Sequence, residues 1–331
     1  MLNDLLTTLE GEAVILDRAK IEREASSDAA LYSNLAVKIL SIFGGLIGLL
    51  FIVAFLLLSG LHNSEIAQVI FGLILFGGAI VMSKVDTSAF LDTINISMWL
   101  VALGLLGFGL SEWIENDFIS IVMILLGTIT FFLSKKFLLR FLSGLLICAS
   151  MVVFIMKNDW FNLIHVIIIG TVLKMTYLHL YESELISKNE FFNTSYAPLR
   201  LALIFSLIGL LFLVGKGGRM NGLEFNYLWI SSLVIIGANL FAIYKIMDGL
   251  DIGESKNVLV MALATIIFLP TIFSPFISGA ILILILNYHI GHRTGIAIGV
   301  IALIYSVSQY CLLYTSPSPR DATLSRMPSS A

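Results

Sequence analysis

Polar stretches along the chain separate eleven apolar runs, at roughly 36–59, 66–83, 94–110, 118–133, 137–156, 160–180, 199–214, 225–247, 257–273, 275–290 and 294–310. Runs this apolar are predicted to be helices in lipid, where each segment must satisfy its own backbone hydrogen bonds. Several fall short of the ~20 residues that cross a bilayer, and flanking Trp and Tyr at the interface make up the difference. The predicted fold is therefore all-α, a polytopic transmembrane helix bundle of about eleven spans. Pro270 and Pro275 leave two readings of 257–290 open, a tight turn between two spans or a broken, re-entrant segment.

The opening stretch 1–33 is different. Its apolar residues fall at Leu2, Leu5, Leu6 and Leu9, then at Val14, Ile15 and Ile21, among charges of both signs. That spacing suits short amphipathic helices. They are read as a solvated cytoplasmic pair, with a membrane-surface or partner-binding helix as the alternative. The segment shows neither the basic start nor the apolar centre of a signal peptide.

Composition agrees with a lipid environment. Apolar residues make up 58% of the 331 and charged residues 12%, against roughly a quarter charged in soluble domains, and mean hydropathy is +0.99. The net charge of −3 comes with no basic, aromatic-interleaved patch, so nucleic acid is not an expected partner. Two cysteines, Cys148 and Cys311, make no disulfide framework and no thiolate metal site.

The apolar pattern breaks at Cys311, where the sequence becomes CLLYTSPSPRDATLSRMPSSA. Cys311–Asp321 and Ser325–Ala331 can both be coded, in one frame and correctly spaced, by the two ends of a transposase-based sequencing adapter. The expected organisation is thus a polar cytoplasmic segment over 1–33, a membrane domain over 34–310, and translated adapter over 311–331 in place of a natural C-terminus and a twelfth span.

Charge sets the orientation. With the N-terminus cytoplasmic, the inner segments hold thirteen basic residues: Arg18, Lys20, Arg23, Lys38, Lys84, Lys135, Lys136, Arg140, Lys188, Arg200, Lys245, Lys256 and Arg293. The outer loops hold three, Lys157, Lys216 and Arg219, so the bias places the N-terminus inside. A weak repeat, LIGLLF at 46–51 and 207–212, would suit two parallel six-helix halves, although a shared apolar hexamer arises easily in such a composition.

Candidate chemistry centres on the sixth run, which alone carries a lysine well inside it. A cation at a helix centre costs ~3 kcal/mol on insertion scales, so Lys174 is a functional candidate by default. On a helical wheel Thr171, Lys174 and Tyr177 share a stripe with Tyr181, while His165 and His179 share another. Lys174 is six residues, about 9 Å, from Leu180, so it either snorkels to the interface or serves a solute, an ion or a buried pair. The histidines read as hydrogen-bonded bundle residues or as a proton relay, and His179 with Glu182 as a local ion pair. Gly44 with Gly48, and Gly291, Gly295 and Gly299, are four apart, which suits close helix packing. No metal-ligand spacing, nucleophile elbow, phosphate loop or intramembrane carboxylate pair occurs, so no enzyme activity, metal or cofactor is expected.

The stretch 275–310 reads PFISGAILILILNYHIGHRTGIAIGVIALIYSVSQY. With Pro275 and Gly279 opening a span, Gly291 and Arg293 in a basic loop, Gly295 and Gly299 in a glycine-rich span and Tyr310 at its close, it resembles the bacterial membrane proteins of the DUF4401 family. The resemblance extends over Met1–Tyr310, implies a location in the bacterial inner membrane, and brings no biochemical activity. The functional expectation is a transporter-like membrane protein handling a small solute or ion at a polar site near the middle span. The alternative is a non-transporting scaffold or sensor that engages a membrane or cytoplasmic protein partner through its N-terminal helices.

Overall fold

The computed structural model describes residues 47, 48, 50–52, 54, 60, 64–85, 89–113, 116–188, 190–216, 227–249 and 254–315. The amphipathic helices expected over 1–33, most of the first apolar run, two positions of the first LIGLLF copy, and 316–331 of the expected adapter lie outside the described residues.

Among the described residues the fold is helical throughout. In chain order the elements are α1 (Glu65–Met82), α2 (Ala89–Ser111), α3 (Asn116–Leu133), α4 (Phe137–Lys157), a 3-10 turn (Phe161–Leu163), α5 (Ile164–Leu180), the short α6 (Glu182–Lys188), α7 (Glu190–Lys216), α8 (Leu228–Gly249), α9 (Glu254–Phe268), a second 3-10 turn (Leu269–Phe273), α10 (Pro275–His289) and α11 (Arg293–Thr315). Among the described residues seven helices are long and apolar enough to cross a membrane, and three shorter ones, Phe118–Leu133, Pro275–His289 and Arg293–Gln309, are apolar as well. These ten coincide with ten of the eleven apolar runs. The chain is a multi-span helical membrane protein.

Two compact units divide the chain, Met1–Leu105 and Leu106–Ala331. In the first, Ser64 caps α1, its hydroxyl oxygen accepting from the Ala67 N–H at 3.4 Å, and Gly78 lets Met98 of α2 lie close. In the second, α5, α7, α8 and α10 share one core. The spacing creates it: Ile164, Ile168, Val172 and Met175 fall on one face of α5, and Ile204, Leu207, Leu211 and Val214 on one face of α7. Ile235, Ala238 and Ala242 of α8 and Leu282, Ile283 and Leu286 of α10 complete it.

Lipid tails are as apolar as these side chains, so helix association in a membrane depends on fit and on interhelical hydrogen bonds rather than on burial from water. Both are present. An added Cβ at Gly144 would lie 2.8 Å from the Ala202 Cβ, and at Gly299 2.9 Å from Leu284 Cγ, so α4 with α7 and α10 with α11 approach closely there. Asn239 of α8 donates through Nδ2 to the Ser278 carbonyl of α10 at 3.0 Å. The glycine spacing expected to serve packing does so at Gly295 and Gly299. Gly291 instead turns the chain between α10 and α11 at φ +68°, and Gly48 has open space where a side chain would start.

The prolines of 257–290 mark a helix, a turn and a second helix. Pro270 lies in the 3-10 turn and Pro275 opens α10, where its missing N–H leaves no intrahelical bond unmade. Both helices and the turn pack along α8: Ile236 meets Ala264 and Phe268, and Asn239 meets Ser278.

Candidate functional site

The five residues singled out from sequence occupy four separate places. Lys174 and Thr171 line an apolar groove of about 390 Å³ between α4, α5 and α7. Thr171 is turned inward and donates its hydroxyl to the Ile167 carbonyl of its own helix at 2.8 Å, whereas Lys174 is exposed. Tyr177 is 55% exposed and lies against Tyr181, ring centroids 5.0 Å apart. His165, at the other end of α5, is buried with its Nδ1 3.3 Å from Ser231 Oγ of α8. Ser231 donates to the Leu228 carbonyl, so its oxygen is free to accept from the imidazole N–H.

His179 belongs to a richer assembly, built where α5, α6, α7, α10 and the start of α11 meet. It is 1% exposed, and its Nδ1–H donates to the Met175 carbonyl at 2.7 Å. That bond leaves Nε2 as the lone-pair nitrogen of a neutral ring, buried and without a hydrogen-bond partner. Arg200 and His292 lie within electrostatic reach of it, and the Asn287 amide stands beside the ring without closing a bond of hydrogen-bond geometry to Nε2. Arg200 of α7 is 9% exposed; its Nη1 donates to Glu182 Oε1 of α6 at 3.4 Å, its guanidinium carbon stands 5.2 Å from the Tyr196 ring centroid, and its Nε is buried without a partner. Tyr196 donates its hydroxyl to the Leu178 carbonyl at 3.2 Å, satisfying one of the acceptors that the end of α5 leaves open.

This corrects the local pairing expected between His179 and Glu182. Glu182 follows the α5 terminus at Tyr181 and opens α6, and it pairs with an arginine from a different helix.

The floor of the cluster comes from the turn between α10 and α11. Asn287 is fully buried, its Nδ2 donating to the Ile283 carbonyl at 2.7 Å and its Oδ1 3.2 Å from His292 Nδ1. The Gly295 N–H donates to the same nitrogen at 3.0 Å, so in its neutral Nε2–H form His292 caps the first turn of α11. One ring nitrogen cannot both accept from Gly295 and donate to Asn287. The surroundings favour the neutral ring: desolvation first, and the positive charge of Arg200 second, hold His292 below its ordinary value of 6.5.

Arg140 and Arg200, which the sequence offers only as orientation charges, are both buried. Arg140 clamps the end of α3 to the start of α7: its Nε donates to the Ser134 carbonyl at 2.6 Å, its Nη1 to Thr194 Oγ1 at 3.0 Å, and its guanidinium carbon stands 5.4 Å from the Phe191 ring centroid. Asn239 and Asn287, which the hydropathy pattern does not single out, are fully buried on interior faces. A signal for them was present, since an uncharged amide inside an apolar run has no solvent to turn to and must find a partner within the bundle.

Chemically the cluster offers a buried cation, a carboxylate, two imidazoles, a phenol and an amide. It also holds one donor, Arg200 Nε–H, and one acceptor, His179 Nε2, that the protein does not use. Gly291 and Gly295, two positions that carried the family resemblance, shape its floor.

No curated protein and no solved structure matches the chain. The model of the family described as a domain of unknown function (DUF4401) matches residues 34–313, reaching three residues past Tyr310 and taking in every helix from α1 to the last turns of α11, and the chain belongs to that family.

Proposed function

We propose that the protein is a transporter-like, multi-pass protein of the bacterial cytoplasmic membrane, with its N-terminus in the cytoplasm and its solute contacts in the cluster around His179 and Arg200. The observation that carries this reading is the pair of buried, unused groups in one cluster, a donor on Arg200 and an acceptor on His179. Unsatisfied buried polar atoms are rare in native interiors and call for an explanation. A small solute that both accepts and donates hydrogen bonds, such as a protonated acid or a hydroxylated molecule, matches the two.

The Lys174 stripe supports such a role less well, because its polar members do not converge: Thr171 bonds its own helix and Tyr177 lies on the exposed side. A scaffold or sensor role through residues 1–33 rests on a segment outside the described residues.

Basic-residue bias supports the orientation, and it predicts where reporters will be read. A fusion after Ser134 should report cytoplasm and one after Asn116 periplasm. The reverse pattern would place the cluster on the outer side.

The function is tested by melting the detergent-solubilised protein against a panel of small ions, weak acids and hydroxylated solutes. A solute present at about 100 times its Kd stabilises the folded state by ~2.7 kcal/mol, a readily measured shift. The stabilisation should vanish in Arg200→Gln and persist in Lys174→Met. Loss in Lys174→Met alone would move the site to the middle of α5, and an unresponsive wild type would favour the scaffold role.

A further inference from the structure

We infer that the groove beside Lys174 is a binding site for an anionic phospholipid, with an acyl chain lying along the groove and the phosphate drawn to the lysine. Three observations converge on that occupant. The groove is mostly apolar and open to the outside of the bundle. Its contributors include Ile147 and Met151 of α4, Val166 and Gly170 of α5, and Leu203 of α7. Among its lining residues Lys174 alone is charged, and among the described residues no carboxylate pairs with it. Thr171, the hydroxyl that α5 contributes to the groove, is bonded within its own helix, so the cation stands without polar company from that side.

Position along the helix supplies the third argument. Lys174 is the lining residue of α5 closest to the Leu180 end, about 9 Å from it, and Val166 is the farthest, about 21 Å from it. A monolayer of hydrocarbon is about 15 Å deep. The groove therefore runs from mid-leaflet to just past the bilayer midplane, with the cation at the end nearer the headgroups, within reach of a phosphate when its side chain extends toward Leu180. The Lys174 Cα–Cβ bond leans toward the helix N-terminus, so the stem lies over the groove and the flexible outer side chain turns back toward the Leu180 end to meet the phosphate. A free phosphate offers nothing to the apolar walls, and a second copy of the protein would have to bring a carboxylate to this depth.

The shape of the groove can be changed without disturbing the fold. A side chain at Gly170 would start in open space, with no atom within 4 Å of its Cβ, so Gly170→Leu begins without a clash and occupies part of the groove that Gly170 lines. The test uses the full-length protein, delipidated in a neutral detergent. Thermal melting and native mass spectrometry are followed on adding phosphatidylglycerol, phosphatidylethanolamine of the same chains, or glycerol phosphate.

Wild-type protein should retain phosphatidylglycerol about fivefold more tightly than phosphatidylethanolamine, the preference that one lysine near an anionic headgroup confers. Glycerol phosphate should do nothing. Lys174→Met should erase the preference while still retaining lipid, Lys174→Arg should keep it, and Gly170→Leu should lose retention of both lipids without a lower melting temperature. Equal retention of the two lipids by the wild type overturns the inference, as does a preference that survives Lys174→Met. So would a dimer in detergent that Gly170→Leu dissociates, which would give the groove to a second copy.

Discussion

Gly295→Ala is expected to lower the unfolding free energy by about 3 kcal/mol, the upper end of what over-packing a close contact costs, and to reduce the melting temperature in detergent accordingly. The new Cβ would overlap the Asn287 side-chain amide and lie 2.8 Å from His292 Nδ1. Asn287 cannot swing aside freely, because it is fully buried and bonded to the Ile283 carbonyl. The helices must then separate, and the bond from the Gly295 N–H to His292 is lost with its capping contribution of ~1 kcal/mol. Gly237→Ala is the matched control: it lies in mid-helix with no atom within 4 Å of the added carbon, and should be neutral or stabilising by ~0.5–1 kcal/mol. Equal melting temperatures for the two variants would show that α10 and α11 do not approach at Gly295 as described.

Glu182→Leu should destabilise the protein more than Arg200→Leu does, although each change breaks the same ion pair. The Arg200 side chain is 10% exposed and Glu182 29%. Removing the carboxylate strands a guanidinium in the interior, a situation that costs ~3 kcal/mol or more. Removing the guanidinium leaves a carboxylate that water still reaches, so the expected cost is about 1–2 kcal/mol, discounted for solvent screening and including the lost contact with Tyr196. The double variant should recover part of the loss, because no charge is then left without its counterpart. The three melting temperatures should rank with Glu182→Leu lowest. An Arg200→Leu variant that melts below Glu182→Leu would mean that Glu182, not Arg200, is the group held from water.

How the spans were legible and the site was not follows from what each depends on. Ten helices were readable because an apolar run of span length is a local property, and a backbone in lipid has few alternatives to a helix. The glycine positions that carried the family resemblance were also readable, and the structure gives two of them physical content in the turn and the close approach that shape the polar cluster. Lys174 stood out by its charge in an apolar context, and that context is real, yet charge in a span says nothing about which face it lies on. Arg200 was hidden by the opposite error. Near the start of an apolar run it counted as a boundary charge, and only the packing of α7 against α5 and α6 buries it beside Glu182, eighteen residues away.

Sequence alone thus determined the class of the molecule, a helical multi-span membrane protein of the DUF4401 family, since hydropathy and motif spacing act over one helix or one turn. Only the tertiary structure decided which polar residues meet. His179, Glu182, Arg200, Asn287 and His292 come from different helices and turns, and their meeting depends on the rotation and register of each helix about a shared core. Ile168, Ile204, Leu207, Ile235 and Leu282 fix those rotations together, by filling one another's space.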